Sequence, residues 1–155
     1  MSLKTISAAA LAAALLLGAS GASAQDPAAV AKARHDHFKE IGKAFKGVLD
    51  EFKKPTQDMA VIQANAKTID MLAAQVPTWF PAGTGRDVVP KSEALPAVWQ
   101  KPDEFKKDAA NFATAAHAFN TAAQSGNAEA VRSGIPALGG ACKACHEVFR
   151  AKDEH

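Results

Sequence analysis

Four stretches of the chain repeat apolar residues at steps of three and four, the spacing that gathers side chains on one face of an α-helix. The first stripe runs Val30, Arg34, Phe38, Ile41, Phe45, Val48 and Phe52, with a single cation in an otherwise apolar row. The second is Met59, Ile62, Ala66, Ile69, Ala73 and Val76, with Thr56 after Pro55 as its expected N-cap. A third runs Phe105, Ala109, Phe112, Ala116, Phe119 and Ala123, and Pro102, Asp103 and Glu104 suit its first turn. The fourth begins near Asn127 and runs Val131, Ile135, Leu138, Cys142, Cys145 and Phe149. Pro136 lies inside it and is expected to bend the helix or interrupt its hydrogen bonds.

No segment sustains the alternation of a strand, and alanine is abundant in all four stretches. Short turns at residues 53–57 and 124–127 join the first helix to the second and the third to the fourth. The remaining connection, from about Pro77 to Lys101, carries Pro77, Pro81, Gly83, Gly85, Pro90 and Pro96. A crossover of that length has a packing or functional role. The pattern predicts an all-α fold, an antiparallel four-helix bundle with one long crossover between helices 2 and 3.

The N-terminus reads differently. Met1 to Lys4 forms a short positive region, Ala8 to Leu17 an apolar run, and Ala22-Ser23-Ala24 a small-x-small cleavage pattern. The run is too short for a comfortable membrane anchor. Residues 1–24 are therefore expected to be a secretory signal peptide cleaved after Ala24, leaving residues 25–155 as one soluble domain. Loss of Lys4 takes the net charge of +2 to about +1. No basic stripe with interleaved aromatics points to nucleic acid.

Both cysteines of the chain fall in one motif, Cys142-Lys143-Ala144-Cys145-His146. On a helix the two thiols share a face, each placed to form a thioether to a haem vinyl group, and His146 follows as the axial ligand of the iron. A thioredoxin-like pair opens a helix directly after a strand, and none precedes Cys142. A structural zinc site needs a second Cys/His pair, which is missing. The motif thus reads as a c-type haem attachment site. With both thiols committed to it, the covalently held macrocycle takes the stabilising place of a disulfide in an exported protein.

Several further marks stand in a fixed order around it: Arg34 with Phe38, Ile62-x-Ala64-Asn65, Trp79-Phe80-Pro81-x-Gly83-Thr84, Pro96-Ala97-Val98-Trp99, and Gly140 to Arg150. Together they resemble the cytochrome c′ family of class II c-type cytochromes, over essentially the whole mature chain. That resemblance implies one covalent haem c. It also places residue Phe38, four after the arginine, over the distal haem face, where low-spin relatives carry a ligating methionine. A phenyl ring has no lone pair to donate, so the iron is expected to be five-coordinate and high-spin, open only to small diatomics such as NO or CO. On periodicity alone Phe38 is equally ordinary core.

The resemblance further implies haem contacts at His35 and Asp87, with the crossover one residue shorter before Asp87 than in the family. Arg34 is expected at the haem edge, pairing with a propionate. Arg150, one turn after His146, is expected beside the proximal imidazole. The alternative is a low-spin, six-coordinate carrier whose sixth ligand comes from His35, His37, Met59 or Met71. His117 and His155 receive no role. Trp79, Phe80 and Trp99 cover haem or seal the end of the bundle. Lys143, Arg150 and Lys152 make a candidate positive rim for an acidic partner.

The functional expectation is a periplasmic cytochrome that transfers single electrons to redox partners, binds NO or CO, or does both, without a stable membrane anchor. It is not expected to be an enzyme, since no Ser/His/Asp arrangement, phosphate loop or carboxylate pair appears, and Phe38 cannot serve as a distal acid or base. The family implies that homodimer formation through the first two helices is open to it, and the polar outer faces there are neutral on the point. Mass spectrometry of protein from haem-maturing cells should show a chain beginning at Gln25 and carrying one haem. A colourless product of apoprotein mass would refute the motif reading.

Overall fold

The computed structural model describes residues 25–152. The expected signal peptide and His155 lie outside them. The described elements are α1 (Pro27–Glu51), α2 (Met59–Ala73), a 3₁₀ turn (Val76–Trp79), a one-turn helix α3 (Ala97–Gln100), α4 (Pro102–Gln124) and α5 (Ala128–Phe149). The four long helices form the expected bundle. Between α4 and α5, Gly126 adopts φ +73°, a left-handed turn conformation that a side chain resists.

Cross-helix pairs fix the direction of each neighbour. Asn65 packs on Gly47, and Glu51 accepts from Asp58 N, so α2 runs back along α1. Gln63 Nε2 donates to Ala123 O at 3.2 Å, while Asn120 Nδ2 donates to Asp70 Oδ2 at 2.8 Å, so α4 is antiparallel to α2. Phe119 lies against Gly134 and Phe105 against Phe149, which makes α5 antiparallel to α4. The close-packed pairs are α1 on α2, α2 on α4 and α4 on α5. On the fourth side, between α1 and α5, Arg132 of α5 lies over the Phe52 ring at the end of α1, 4.7 Å from its centre, and the helices are less closely packed.

The apolar stripes form the core. All six residues of the third stripe, Phe105 to Ala123, are buried. Ile62, Ala66, Ile69 and Ala73 of α2 are fully buried. Such side chains contribute about 1.5–3 kcal/mol each when large. On α1 the buried face is centred on Ala31, Arg34, Ile41, Ala44 and Val48, and Phe38, Phe45 and Phe52 lie half-buried along its edge.

One detail departs from expectation. The N-cap of α2 is Asp58 and not Thr56: Asp58 Oδ1 accepts from Ala60 N at 2.9 Å and Val61 N at 3.3 Å. The cause is Glu51, buried at the end of α1. Its carboxylate accepts from Asp58 N at 3.0 Å and Lys54 Nζ at 2.5 Å, which carries the turn past Thr56 before the helix can start. These hydrogen bonds, that of Lys54 foremost, hold the Glu51 carboxyl below its usual pKa. Pro136 lies inside α5, which continues through it from Ala128 to Phe149. The missing N–H there costs one hydrogen bond, and the flanking turns hold the helix together.

Helix α2 has 15 residues against 25, 23 and 22 in the other three. At 1.5 Å per residue it is about 10–15 Å short. The crossover occupies that end of the bundle. Substituting Asp58→Ala should lower the unfolding free energy by about 1 kcal/mol in urea denaturation, whereas Thr56→Ala should leave it within a few tenths.

Candidate functional site

On α5, Cys142, Cys145 and His146 stand at i, i+3 and i+4 and so share one face, flanked by the buried Leu138 and Phe149. The end of this helix is pinned to the crossover. Leu95 N donates to Phe149 O at 2.9 Å, Ala151 N donates to Glu93 O at 2.8 Å, and Ala94 and Arg150 form an isolated antiparallel bridge. Arg150 Nε completes the junction on Glu93 Oε2 at 2.8 Å.

Both thiols and His146 line a cavity of about 400 Å³ on the open α1–α5 side of the bundle. Its other walls are Phe38, Ile41 and Phe45 of α1, Phe80 of the crossover, and Phe105, Ala109 and Phe112 of α4. The size falls within the range of about 300–1,000 Å³ for cofactor pockets. Among the described residues no group of three or more His, Cys, Asp and Glu side chains could hold a bare metal ion. A flat, mostly apolar group tethered through two sulfurs and one imidazole fits this donor set; a naked cation does not.

The electrostatics agree. Burial pushes the Cys142 thiol above its ordinary pKa. Burial also raises Cys145, to about 11, with smaller contributions from Asp108 and Cys142. A reactive redox dithiol works through a lowered thiol pKa, so these cysteines lack that character. His146 keeps one side in solvent, but the cavity wall desolvates it and Arg150 adds a cation, so its pKa falls and the neutral imidazole is favoured. The neutral ring is the one that can bind a metal.

Arg34 is buried, and burial lowers its pKa. Its terminal nitrogens are held by the crossover. One terminal nitrogen donates to Trp79 O at 3.1 Å and Thr84 Oγ1 at 2.9 Å; the other donates to Thr84 O at 2.7 Å and Ser92 Oγ at 2.8 Å. Its guanidinium carbon lies 4.6 Å from the centre of the Phe80 ring. Arg34 lines the cavity and at the same time clamps the crossover to α1.

The other expected residues sort clearly. Phe38 reaches the cavity from α1, edge-on to Trp79 with ring centres 5.4 Å apart. His35 and Arg150 stand at its rim, and His35 Nδ1 is 3.7 Å from Glu93 Oε1. Asp87 is exposed on the crossover and does not line the cavity. Glu93, six residues later, lines the cavity, as do Lys39 and Lys91; none of the three was singled out from the sequence, where nothing periodic marks them.

Of the alternative sixth ligands, only His35 lines the cavity. His37 stacks on Trp79 at 4.7 Å, Met59 packs at the core edge, and Met71 is exposed. His117 pairs with Asp70 at 3.3 Å on the α2–α4 face. Trp99 seals the crossover: its Nε1 donates to Phe80 O at 3.1 Å, and a Cβ at Gly85 would come within 2.5 Å of its ring. Lys143 of the expected positive rim pairs with Glu147 at 3.5 Å.

A family model described as Cytochrome C′ matches residues 29–150. The chain belongs to the cytochrome c′ family. Cytochrome c′ of Pararhodospirillum photometricum is 40% identical over 119 residues, covering 77% of this chain and 88% of that one. The crystal structure of cytochrome c′ from Thermochromatium tepidum superposes with a TM-score of 0.76 at 26% identity, over 82% of this chain and 98% of that one. A carbon monoxide-bound variant of cytochrome c′ from Alcaligenes xylosoxidans gives a TM-score of 0.72 at 25% identity, over 83% and 98% of the two chains. The cofactor of this cytochrome c′ is haem c. No helix among the described residues is long and apolar enough to cross a membrane.

In this cytochrome c′ the cavity depends on the Arg34 clamp. Arg34→Met should remove four hydrogen bonds to the crossover, leave Trp79 O without its guanidinium donor, and cost roughly 3 kcal/mol in chemical denaturation. Hydrogen exchange should quicken at Arg86 N, which is bonded to Ala94 O at 2.8 Å, while the α2 core stays protected.

Proposed function

We propose that this chain is an exported, periplasmic cytochrome c′ that transfers single electrons and binds NO or CO at a five-coordinate iron. Residues 1–24 act as the signal peptide, and residues 25–155 form the haem-binding bundle. Cys142 and Cys145 hold haem c through thioethers, and His146 Nε2 or Nδ1 supplies the single axial bond from the protein. Bound haem supplies an iron that changes oxidation state by one electron and has an axial position for a diatomic ligand.

The observation that carries the reading is the meeting of Phe38 from α1 with Cys142, Cys145 and His146 from α5 in one apolar cavity. Phe38 offers no lone pair and excludes water, so it shields the side away from His146 without ligating. The apolar walls favour small neutral ligands over anions. The carbon monoxide complex of a structural relative supports the gas-binding half of the proposal. Arg150, held by Glu93, keeps a cation near His146. The rim cations Lys39, Lys91 and Arg150 favour an acidic redox partner.

One alternative has an observation in its favour. His35 is at the cavity rim, so a six-coordinate, low-spin iron with His35 as sixth ligand defines the competing state. Optical and electron paramagnetic resonance spectra separate the two. The ferric protein should be high-spin and the reduced protein should take up CO. A low-spin ferric spectrum unaffected by CO contradicts the role given to Phe38. Phe38→Met should convert the iron to a six-coordinate, low-spin state, because a thioether then faces it; a variant that stays high-spin would displace α1 from its assigned position over the haem.

A further inference from the structure

Residue 42 is a glycine in the middle of α1, where glycine weakens a helix relative to alanine. Close packing accounts for the other glycine of this helix: a Cβ on Gly47 would approach Asn65 Nδ2 to 2.8 Å. No such contact exists at Gly42, where a Cβ would meet no atom within 4 Å. Helix packing therefore does not require glycine at this site.

What distinguishes Gly42 is its place. It lines the cavity and is also exposed to solvent, one turn beyond Phe38 on the same helix. A helical side chain leans toward the N-terminus and covers the turn before its own Cα. A side chain at position 42 would thus cover the strip of α1 beside the Phe38 ring, between it and Phe45. Glycine leaves that strip bare. Phe38 is flanked by Trp79 and Phe80 of the crossover, with ring centres 5.4 and 6.3 Å away, and a Cβ at position 42 would not reach it.

We propose that Gly42 is the access residue of the gas-binding face: the gap it leaves in α1 lets a diatomic pass the Phe38 ring, or the ring yield to it, and so sets the association rate. This rests on the five-coordinate reading above and deepens it.

The test uses the mature, haem-loaded protein, reduced, with CO association followed by stopped-flow or flash photolysis. Gly42→Ala should slow association severalfold and Gly42→Val more. Gly42→Ala should nevertheless raise the thermal midpoint by about 2–5 °C, because alanine is the better helix former. The control is Ser133→Ala, also an exposed helical position where alanine is the better helix former, but not on the cavity wall. It should leave CO association unchanged. The midpoint potential should be the same in all variants, since none alters a charge or an iron ligand. Normal CO uptake by the wild type with an unaltered or faster rate in both Gly42 variants overturns the access role alone. Failure of the wild type to bind CO overturns the open-face reading, and the access role with it.

Discussion

The buried guanidinium of Arg34 is the interaction on which the site depends. A cation removed from water without a carboxylate partner is expensive unless its N–H groups find acceptors. Here the four terminal N–H groups are spent on Trp79, Thr84 and Ser92, and the Phe80 ring lies against the guanidinium face. A planar fork can reach three separated points of an irregular segment at once, which an apolar residue cannot do. The crossover has little helix of its own to define its path. Its shape is instead read off one side chain of α1, with Ser92 Oγ and Thr84 Oγ1 relaying the network to Thr84 O and Pro81 O.

The need for that clamp follows from helix lengths. A short α2 leaves one end of the bundle with three helices, and the crossover supplies the missing wall. α1 and α5 meet at the other end, where Arg132 lies on Phe52, and at this end they bound a space between Arg34 and Phe38 on one helix and the two cysteines and His146 on the other. The contacts of Leu95 with Phe149, Glu93 with Ala151 and Glu93 with Arg150 tie α5 to the same crossover. One irregular segment, fixed to α1 by Arg34 and to α5 by Glu93, therefore holds apart the two helices that carry the site.

The helices were legible in the sequence because burial of a regular element leaves a regular trace. The stripe from Phe105 to Ala123 marks the buried face of α4 residue by residue, and Asn127 caps α5 with Oδ1 on Glu129 N and Ala130 N. The cysteines and His146 were legible because their chemistry needs a local spacing. What failed was non-local or aperiodic. Thr56 and Asp58 are both acceptable caps, and only the distant Glu51 decides between them. Glu93 was not singled out because an irregular segment gives no periodicity from which to count. Arg34 lines the cavity, but its partners lie 45 to 58 residues away and cannot be read from its neighbours.

The open side of the bundle also bears on stability. Ordinary four-helix bundles close all four faces with side chains, whereas here a face of aromatic and aliphatic residues looks into about 400 Å³ of space. Apolar surface left in water forgoes about 25 cal/mol per Å². Haem c, as the family's cofactor, is the group that would cover this surface and join α1 to α5. Folding and cofactor retention are then linked by mass action, and a covalent tether makes that linkage permanent. The position that matters for gas binding and the position that matters for folding are thus one wall of one cavity. An alanine at 42, the better helix former, adds to the bundle's stability on the same wall that faces the iron.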